Sequence, residues 1–555
     1  MKLKSVFIVL AAILVLSALL RLFLLGGVPP SPDWDEVAIG YDAYSIIHNG
    51  RDQFGKFLPV VLRSFDDYKP ALYAYLTVPP IIVFGLNTFA VRFPSAVSGI
   101  FLVLVVFYLI RELFKDYKYR DQLSLLTALF LGISPWSIQF SRVGFESNVG
   151  VLINATMVLF FLKGLKNHYF LYLAATCAGL GQYIYQSDRV FTPLLALLLV
   201  AIYWKKLVLL PKKSLIISVV LGIIVVLPMV FYIFTDSSAL LRVKGTSVFS
   251  YQTEILKNEI PKIERNIQNK DYLGLILNNR RVVYAKAIVA GYLSHFDPNW
   301  LFIRGDIARH HAPNFGLLYL FELPLILIGI YFLLFGKFDP RTKTLLSLWF
   351  LAVPIPASIT TGVPHAVRTL NFLPLWQIFA AIGSLVALHF LSNLKFKVLS
   401  VSLKYLIYPI LAVIVLFNIS YYFNQYFVQL NYYDSADWQY GYKQAIDVVK
   451  AEGHKYKKIV ISDVQPMDKS YMFLLFYLGY DPIKYQEYGA KTSGAFNVHQ
   501  AFDKYEFRPI NWAKDSHEEN VLYIGNPSEV PEKGAPVIKR IKFLNGKPAI
   551  IIAGT

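Results

Sequence analysis

Cysteine is almost missing: the 555 residues hold one, Cys177, inside an apolar run. A single thiol excludes an intramolecular disulfide and a cysteine-based zinc site, so it reads as packing. Charge is scarce as well. Asp, Glu, Lys and Arg make up 16% of the chain, against roughly 25% in an ordinary soluble domain. A soluble globule of this composition could not cover its own core. There is no Walker A sequence, no HExxH, no fixed-period repeat and no low-complexity tract. Gly179-Leu180-Gly181-Gln182-Tyr183-Ile184 fails the dinucleotide pattern at its last position, which removes the usual grounds for nucleotide chemistry.

What the chain has in abundance is apolar runs of bilayer length. After Val6 to Leu25 they fall near residues 90–110, 122–139, 148–163, 169–185, 190–204, 214–234, 316–335, 344–360, 370–391 and 405–424. The expected fold is therefore mainly α: a polytopic membrane protein of about 11 transmembrane helices. Lys2 and Lys4 precede the first run and no small-x-small cleavage site follows it, so it is expected to be a retained signal anchor. The segment Tyr68 to Leu86 contains Pro70, Pro79 and Pro80 and reads as a pair of interfacial or re-entrant helices.

The formal net charge of +18 suggests nucleic acid only if its position is ignored. One alternating set of short loops holds 16 basic residues, whereas the other holds Arg142, Arg189 and Arg368. By the positive-inside rule the first set and the N-terminus are cytoplasmic. No nucleic-acid partner is expected; membrane lipids are. The outer face then carries a first loop (about 28–89), a second large loop (about 236–315) and a polar tail. The tail alternates helix-like and strand-like segments at Tyr440 to Glu452, Lys458 to Ser462, Ser470 to Leu478, Val521 to Ile524 and Ala549 to Ile552. That pattern predicts a small extracytoplasmic α/β domain over 430–555, behind a membrane domain over 1–429.

Ionisable groups gather on the outer side. Asp35-Glu36 precedes helically spaced apolar residues from Val37 to Ile47, which places the pair at the N-terminus of a helix lying on the bilayer. A carboxylate there can serve as a general base. The other outer links repeat an arginine with polar and aromatic companions: Arg142 with Trp136 and Glu146, Arg189 with Tyr185, and Arg368 with His365. One arginine in such a link snorkels; the repetition points to a shared anionic ligand such as phosphate. His310-His311 with His295 offers metal-binding atoms, though adjacent histidines on a loop are more often polar surface.

Several of these motifs together resemble the GT-C glycosyltransferases. They are Asp35-Glu36-Val37 with Gly40, Lys69-Pro70-Ala71-Leu72-Tyr73, Arg92-Phe93-Pro94-Ser95, the stretch from Ser134 to Arg142 with Phe145-Glu146, Tyr292 to Asp306, and Pro364 to Arg368. The resemblance is to the bacterial branch related to dolichyl-phosphate-mannose protein mannosyltransferases and to the lipid A aminoarabinose transferase. It implies inverting transfer of a sugar from a polyprenyl-phosphate carrier to a hydroxyl on a protein, lipid or glycan, at the outer face of the cell membrane. Asp35 would be the base and Glu36 its assistant, with Lys69 matching the basic residue before the proline. Arg142, Arg189, Arg368, His365, Glu146 and Tyr185 are the expected substrate- and phosphate-binding residues. In the aminoarabinose branch an acidic residue before the lysine helps hold a metal; here it is Tyr68. No metal ligand and no cofactor is therefore assigned, and a divalent metal is left open. The competing reading is a transporter or flippase for a lipid-linked saccharide, for which the basic mouth would serve equally.

Overall fold

The computed structural model describes residues 3–65, 67–236, 245–250, 254–393, 395, 397–398, 401–489 and 500–555. The chain is a mainly helical, multi-span membrane protein with a small mixed sheet near its C-terminus. Among the described residues, seven helices are long and apolar enough to cross a membrane. Among them are α1 (Leu3–Leu22), α4 (Thr88–Leu113), α7 (Ser147–Gly164), α9 (Asp188–Leu207) and α10 (Lys212–Thr235); the other two are Leu370–Ser392 and Tyr405–Tyr433. Outward faces such as Ile8, Phe231 and Leu416 are more than half exposed, as lipid-facing side chains are.

One further apolar helix pair is bent. Helix α5 (Arg120–Ile133) and α6 (Pro135–Ser141) meet at 57°. Pro135 lacks the N–H that would continue α5, and it drives Ser134 out of helical geometry, to ψ 127°. The other three expected crossings are helical but short: α8 (Tyr169–Leu180), Glu322–Phe335 and Pro340–Ala352.

The first loop departs from expectation. Residues 68–86 form no pair of helices. A two-stranded hairpin, β1 (Val61–Ser64) with β2 (Asp67–Pro70), precedes a single apolar helix, α3 (Leu72–Phe84). Nor does α2 (Trp34–Asn49) lie open on a bilayer. Val37, Ala38, Ile39, Tyr41 and Ala43 are all buried. One side packs on α3 and α4, the other on the helix Ser470–Leu478. Gly40 sits where both α4 and that helix close in: a Cβ there would stand 2.6 Å from the Phe476 ring and 2.7 Å from Val91.

The tail forms the helices and strands its pattern predicts and adds three more strands. The six-stranded order is Gln500–Phe502, Tyr505–Phe507, Lys458–Ile461, Val521–Gly525, Pro548–Gly554, Val537–Lys542, with the third strand parallel to both neighbours. This region is bonded to the first loop. Tyr41 donates to the Tyr480 carbonyl at 3.1 Å, and Gln486 donates to Ser45 at 3.0 Å.

Candidate active site

Two buried arginines, Arg142 and Arg92, fix the segment that leads into α2, and a third, Arg21, ties the end of α1 to the bent helix pair. That segment has three prolines, Pro29, Pro30 and Pro32, and carbonyls that a helix would have paired. Arg142 donates to the carbonyls of Leu20 and Arg21, at the end of α1, and of Val28 (2.8, 3.2 and 2.9 Å). Arg21 returns the arrangement, reaching the Gly132 carbonyl (2.8 Å) that the Pro135 break leaves unpaired. Arg92 takes the carbonyls of Leu25, Pro29 and Ser31 at 2.7–3.1 Å.

Arg92 also closes on Glu36, at 2.8 and 3.0 Å, and both side chains are fully buried. Glu36 accepts two further bonds, from the N–H of Gly144 (2.8 Å) and of Asp33 (3.1 Å). The Asp33 carboxylate in turn accepts the Glu36 N–H, so the two form a capping box that starts α2. Glu36 thus locks three segments of chain together.

Asp35, one residue earlier, turns the other way. Its side chain is 30% exposed and is ion-paired with Lys69, whose own side chain is 10% exposed. Burial works against the Lys69 charge, but Asp35 and Glu146 more than offset it and hold the ammonium above its ordinary pKa. Burial pushes the Glu146 carboxyl up to about 7, against the pull of Lys69. Tyr185 lies within the field of Arg368, Glu146, Lys69 and Asp35. Arg368 donates to Thr360 Oγ1 (2.5 Å) and to the Thr361 carbonyl (2.6 Å), and with Tyr185, Gln186 and Thr246 it lines a cavity. Asp35, Lys69, Glu146, Tyr185 and Arg368 therefore form one constellation at the start of α2.

A second group lies close by. Arg309 pairs with Asp33 at 3.1 Å and covers the Trp34 ring at 4.2 Å; Lys469, from the C-terminal region, lies 4.0 Å from the same ring. Beside Arg309, His310 meets Asp306 at 2.9 Å, and His365 stands 5.1 Å from His310 between ring centres. Burial lowers both imidazoles from their ordinary range.

Residues 68–232 match the model of the family described as dolichyl-phosphate-mannose-protein mannosyltransferase. No curated protein sequence matches. Among solved structures, ArnT from Cupriavidus metallidurans bound to undecaprenyl phosphate is similar over 99% of this chain and 98% of its own, with TM-score 0.55 and 12% identity. The archaeal oligosaccharyltransferase AglB from Archaeoglobus fulgidus, in complex with an inhibitory peptide and a dolichol-phosphate, is similar over 95% of this chain and 70% of its own, with TM-score 0.52 and 13% identity. The chain has the GT-C fold.

In this GT-C chain the expected site residues separate into three sets. Asp35, Lys69, Glu146, Tyr185 and Arg368 come together. His365 joins Asp306 and His310 instead. Glu36, Arg142 and Arg189 are engaged by protein groups instead. Both oxygens of Glu36 are engaged in the lock. Arg142 is fully buried among backbone carbonyls, with Phe427 4.9 Å below it. Arg189 is wedged among Gln182, Gln186 and Met229. Trp136, the aromatic companion of Arg142 in its link, is fully buried against Trp300.

Sequence reasoning missed Asp33, Arg92, Arg309 and Lys469 as site residues. Asp33-x-x-Glu36 was a readable capping box. No local signal marks Arg309 or Lys469, which arrive from distant segments.

Proposed function

We propose that this protein is a membrane glycosyltransferase that moves a sugar from a polyprenyl-phosphate carrier to an acceptor hydroxyl on a protein, lipid or glycan. The observation that carries the reading is Asp35, the partly exposed carboxylate of a capped and locked helix start, paired with Lys69, with Tyr185 in the field of both this pair and Arg368. The undecaprenyl phosphate named with the ArnT structure and the dolichol-phosphate named with AglB support a lipid-phosphate donor.

The chemistry follows from the pair. With no donor present, Lys69 neutralises Asp35. A donor phosphate competes for the same ammonium, draws it away, and leaves Asp35 free to accept a proton. The acceptor O–H then gives its proton to Asp35 while its oxygen attacks the anomeric carbon. The bond from that carbon to the phosphate oxygen breaks, and the lipid phosphate departs with the electron pair, held by Lys69 and Arg368. Attack opposite the leaving group inverts the anomeric centre.

The sidedness rests on the 16-to-3 distribution of basic residues. It puts the N-terminus in the cytoplasm, and this constellation and the α/β domain 430–555 outside, where a lipid-borne donor replaces nucleotide sugars. In a Cys177→Ser background, Lys212→Cys and Ser528→Cys should label from opposite sides with an impermeant thiol reagent; labelling from one side would refute the assignment.

The test of function begins with mass spectrometry of surface glycans and proteins from cells with and without the gene, which identifies the transferred sugar. Asp35→Asn should then lower turnover by at least about 10²-fold, as expected for loss of a general base, with donor-lipid binding retained. Near-parent turnover in that variant would remove Asp35 from the chemistry. An unchanged glycan profile would remove the transferase reading itself.

A further inference from the structure

We infer that Asp306, His310 and His365 form a binding site for a zinc-type divalent cation, separate from the Asp35–Lys69 pair. Their ligand atoms all lie within 4.8 Å of one another. The geometry has the features such a site requires. His310 Nδ1 and Asp306 Oδ2 are 2.9 Å apart. A tetrahedral ion about 2.0 Å from each ligand separates its ligands by about 3.3 Å, so that pair has to open by only a few tenths of an ångström. His365 supplies the third ligand. Its Nδ1 is enclosed by protein and has no hydrogen-bond partner among the described residues, a condition that an enclosed imidazole nitrogen seldom keeps without a ligand.

The surroundings already orient all three groups. The Ala366 N–H donates to Asp306 Oδ2 at 2.6 Å, which ties the carboxylate to the segment bearing His365. The His365 N–H donates to His295 Nε2 at 3.2 Å, and His295 Nδ1 lies 2.7 Å from the Gly291 carbonyl. His295 is therefore a support for that segment, its ring nitrogens already used. Phe140 and Phe145 pack against the His310 ring at 5.6 and 5.9 Å. His311 turns away, with Nδ1 2.7 Å from the Ala312 carbonyl and 2.9 Å from that of Phe315. Outer-shell contacts of this kind fix ligand tautomer and direction in metal sites.

Two imidazoles and one carboxylate suit zinc and its neighbours rather than calcium or magnesium, which favour oxygen shells. Three protein ligands leave a fourth position open. The ion would join the loop bearing Asp306 and His310 to the segment bearing His365 and Arg368, and so hold Arg309 against Asp33 and Trp34. Zinc binding needs no knowledge of the sugar or acceptor, so the test stands apart from the proposed transfer.

The full-length protein, purified in detergent and stripped with a chelator, is titrated with Zn²⁺ against a chromophoric competitor. The expected stoichiometry is about one ion per chain, with a rise in Tm because the ion binds only the folded form. Asp306→Asn and His365→Ala should each weaken binding at least about tenfold, no less than the loss of an outer-shell partner costs, and abolish the Tm rise. His389→Ala, at an exposed histidine outside the group, should retain both. Monodisperse elution of every variant separates lost ligation from misfolding, and His365→Gln gives a milder replacement if His365→Ala does not fold. The inference is overturned if the parent takes up well under one ion, or if His365→Ala and His365→Gln bind zinc as the parent does.

Discussion

Replacing Glu36 by glutamine tests whether this carboxylate acts on a substrate or holds the site together. Glutamine keeps the size and removes the charge. Glu36 accepts four bonds, two from Arg92 and one each from the N–H groups of Gly144 and Asp33. Each oxygen accepts two of these bonds, so an amide NH₂ in place of either one points a donor at two donors. Arg92 is left as a buried cation with no anion beside it. Breaking a buried pair in this way costs about 3–5 kcal/mol, and the unsatisfied N–H groups add to it. Thermal unfolding followed by size-exclusion chromatography in detergent should show a large fall in Tm for Glu36→Gln and for Arg92→Met. The double variant should fall by less than the two losses combined, because the orphaned charge is gone; coupling of about 0.5–3 kcal/mol is usual for groups in direct contact. It should not return to the parent, since the carbonyls of Leu25, Pro29 and Ser31 stay unpaired. A Glu36→Gln protein that melts with the parent and has lost only turnover would refute the locking role and restore a chemical one.

The arginines of the links should part company under the same measurements. Arg142→Lys should lower Tm, because one ammonium cannot serve three carbonyls in separate directions; parent-like melting would contradict its place in the structure. Arg368→Lys should leave Tm near the parent and weaken donor-lipid binding, and unchanged affinity would remove Arg368 from the phosphate site. Glu146 should give the protein a pH dependence. Its carboxyl is raised from 4.5 to about 7, so its contribution is whole below pH 4.5 and is lost as pH rises through 7, by up to about 3 kcal/mol. The parent should therefore lose more Tm between pH 5 and pH 8 than Glu146→Gln does, and equal losses would show that Glu146 titrates normally.

Much of this was readable because long-range structure did not decide it. A run such as 214–234 is apolar all round, and bilayer length alone makes it a span. Asp35-Glu36 before Val37 gave a helix start correctly, since capping and dipole act within one turn. The roles of the two carboxylates were not readable. Adjacent helix residues point about 100° apart, and which one turns inward depends on Arg92, 56 residues on. The hairpin at 61–70 was hidden by Pro70 and by its brevity. Lys469 reaches Trp34 from the far side of the entire membrane portion of the chain.

Arg142 shows why sparse charge in apolar surroundings misleads. A lone guanidinium in a link reads as a ligand for phosphate or as a snorkelling side chain, both of which look outward for a partner. Near a bilayer there is a third claimant, the backbone itself. Where a proline breaks α5, or three prolines follow α1, carbonyls are left with neither helix nor water to satisfy them, and each costs free energy if unpaired. Arginine has five donors in one plane and keeps its charge when buried, so it can serve several carbonyls at once. Arg21 and Arg142 do this reciprocally, each bonding carbonyls at the broken end that the other's segment leaves open. Arg92 differs in having a carboxylate as well, and that carboxylate is the neighbour of Asp35. The segment that carries the proposed base is thus held by backbone capping from Arg142 and Arg92, with Arg21 joining α1 to the bent helix pair behind it. A conservative lysine at Arg142 or Arg92 would keep the charge but lose the plane of donors that the segment depends on.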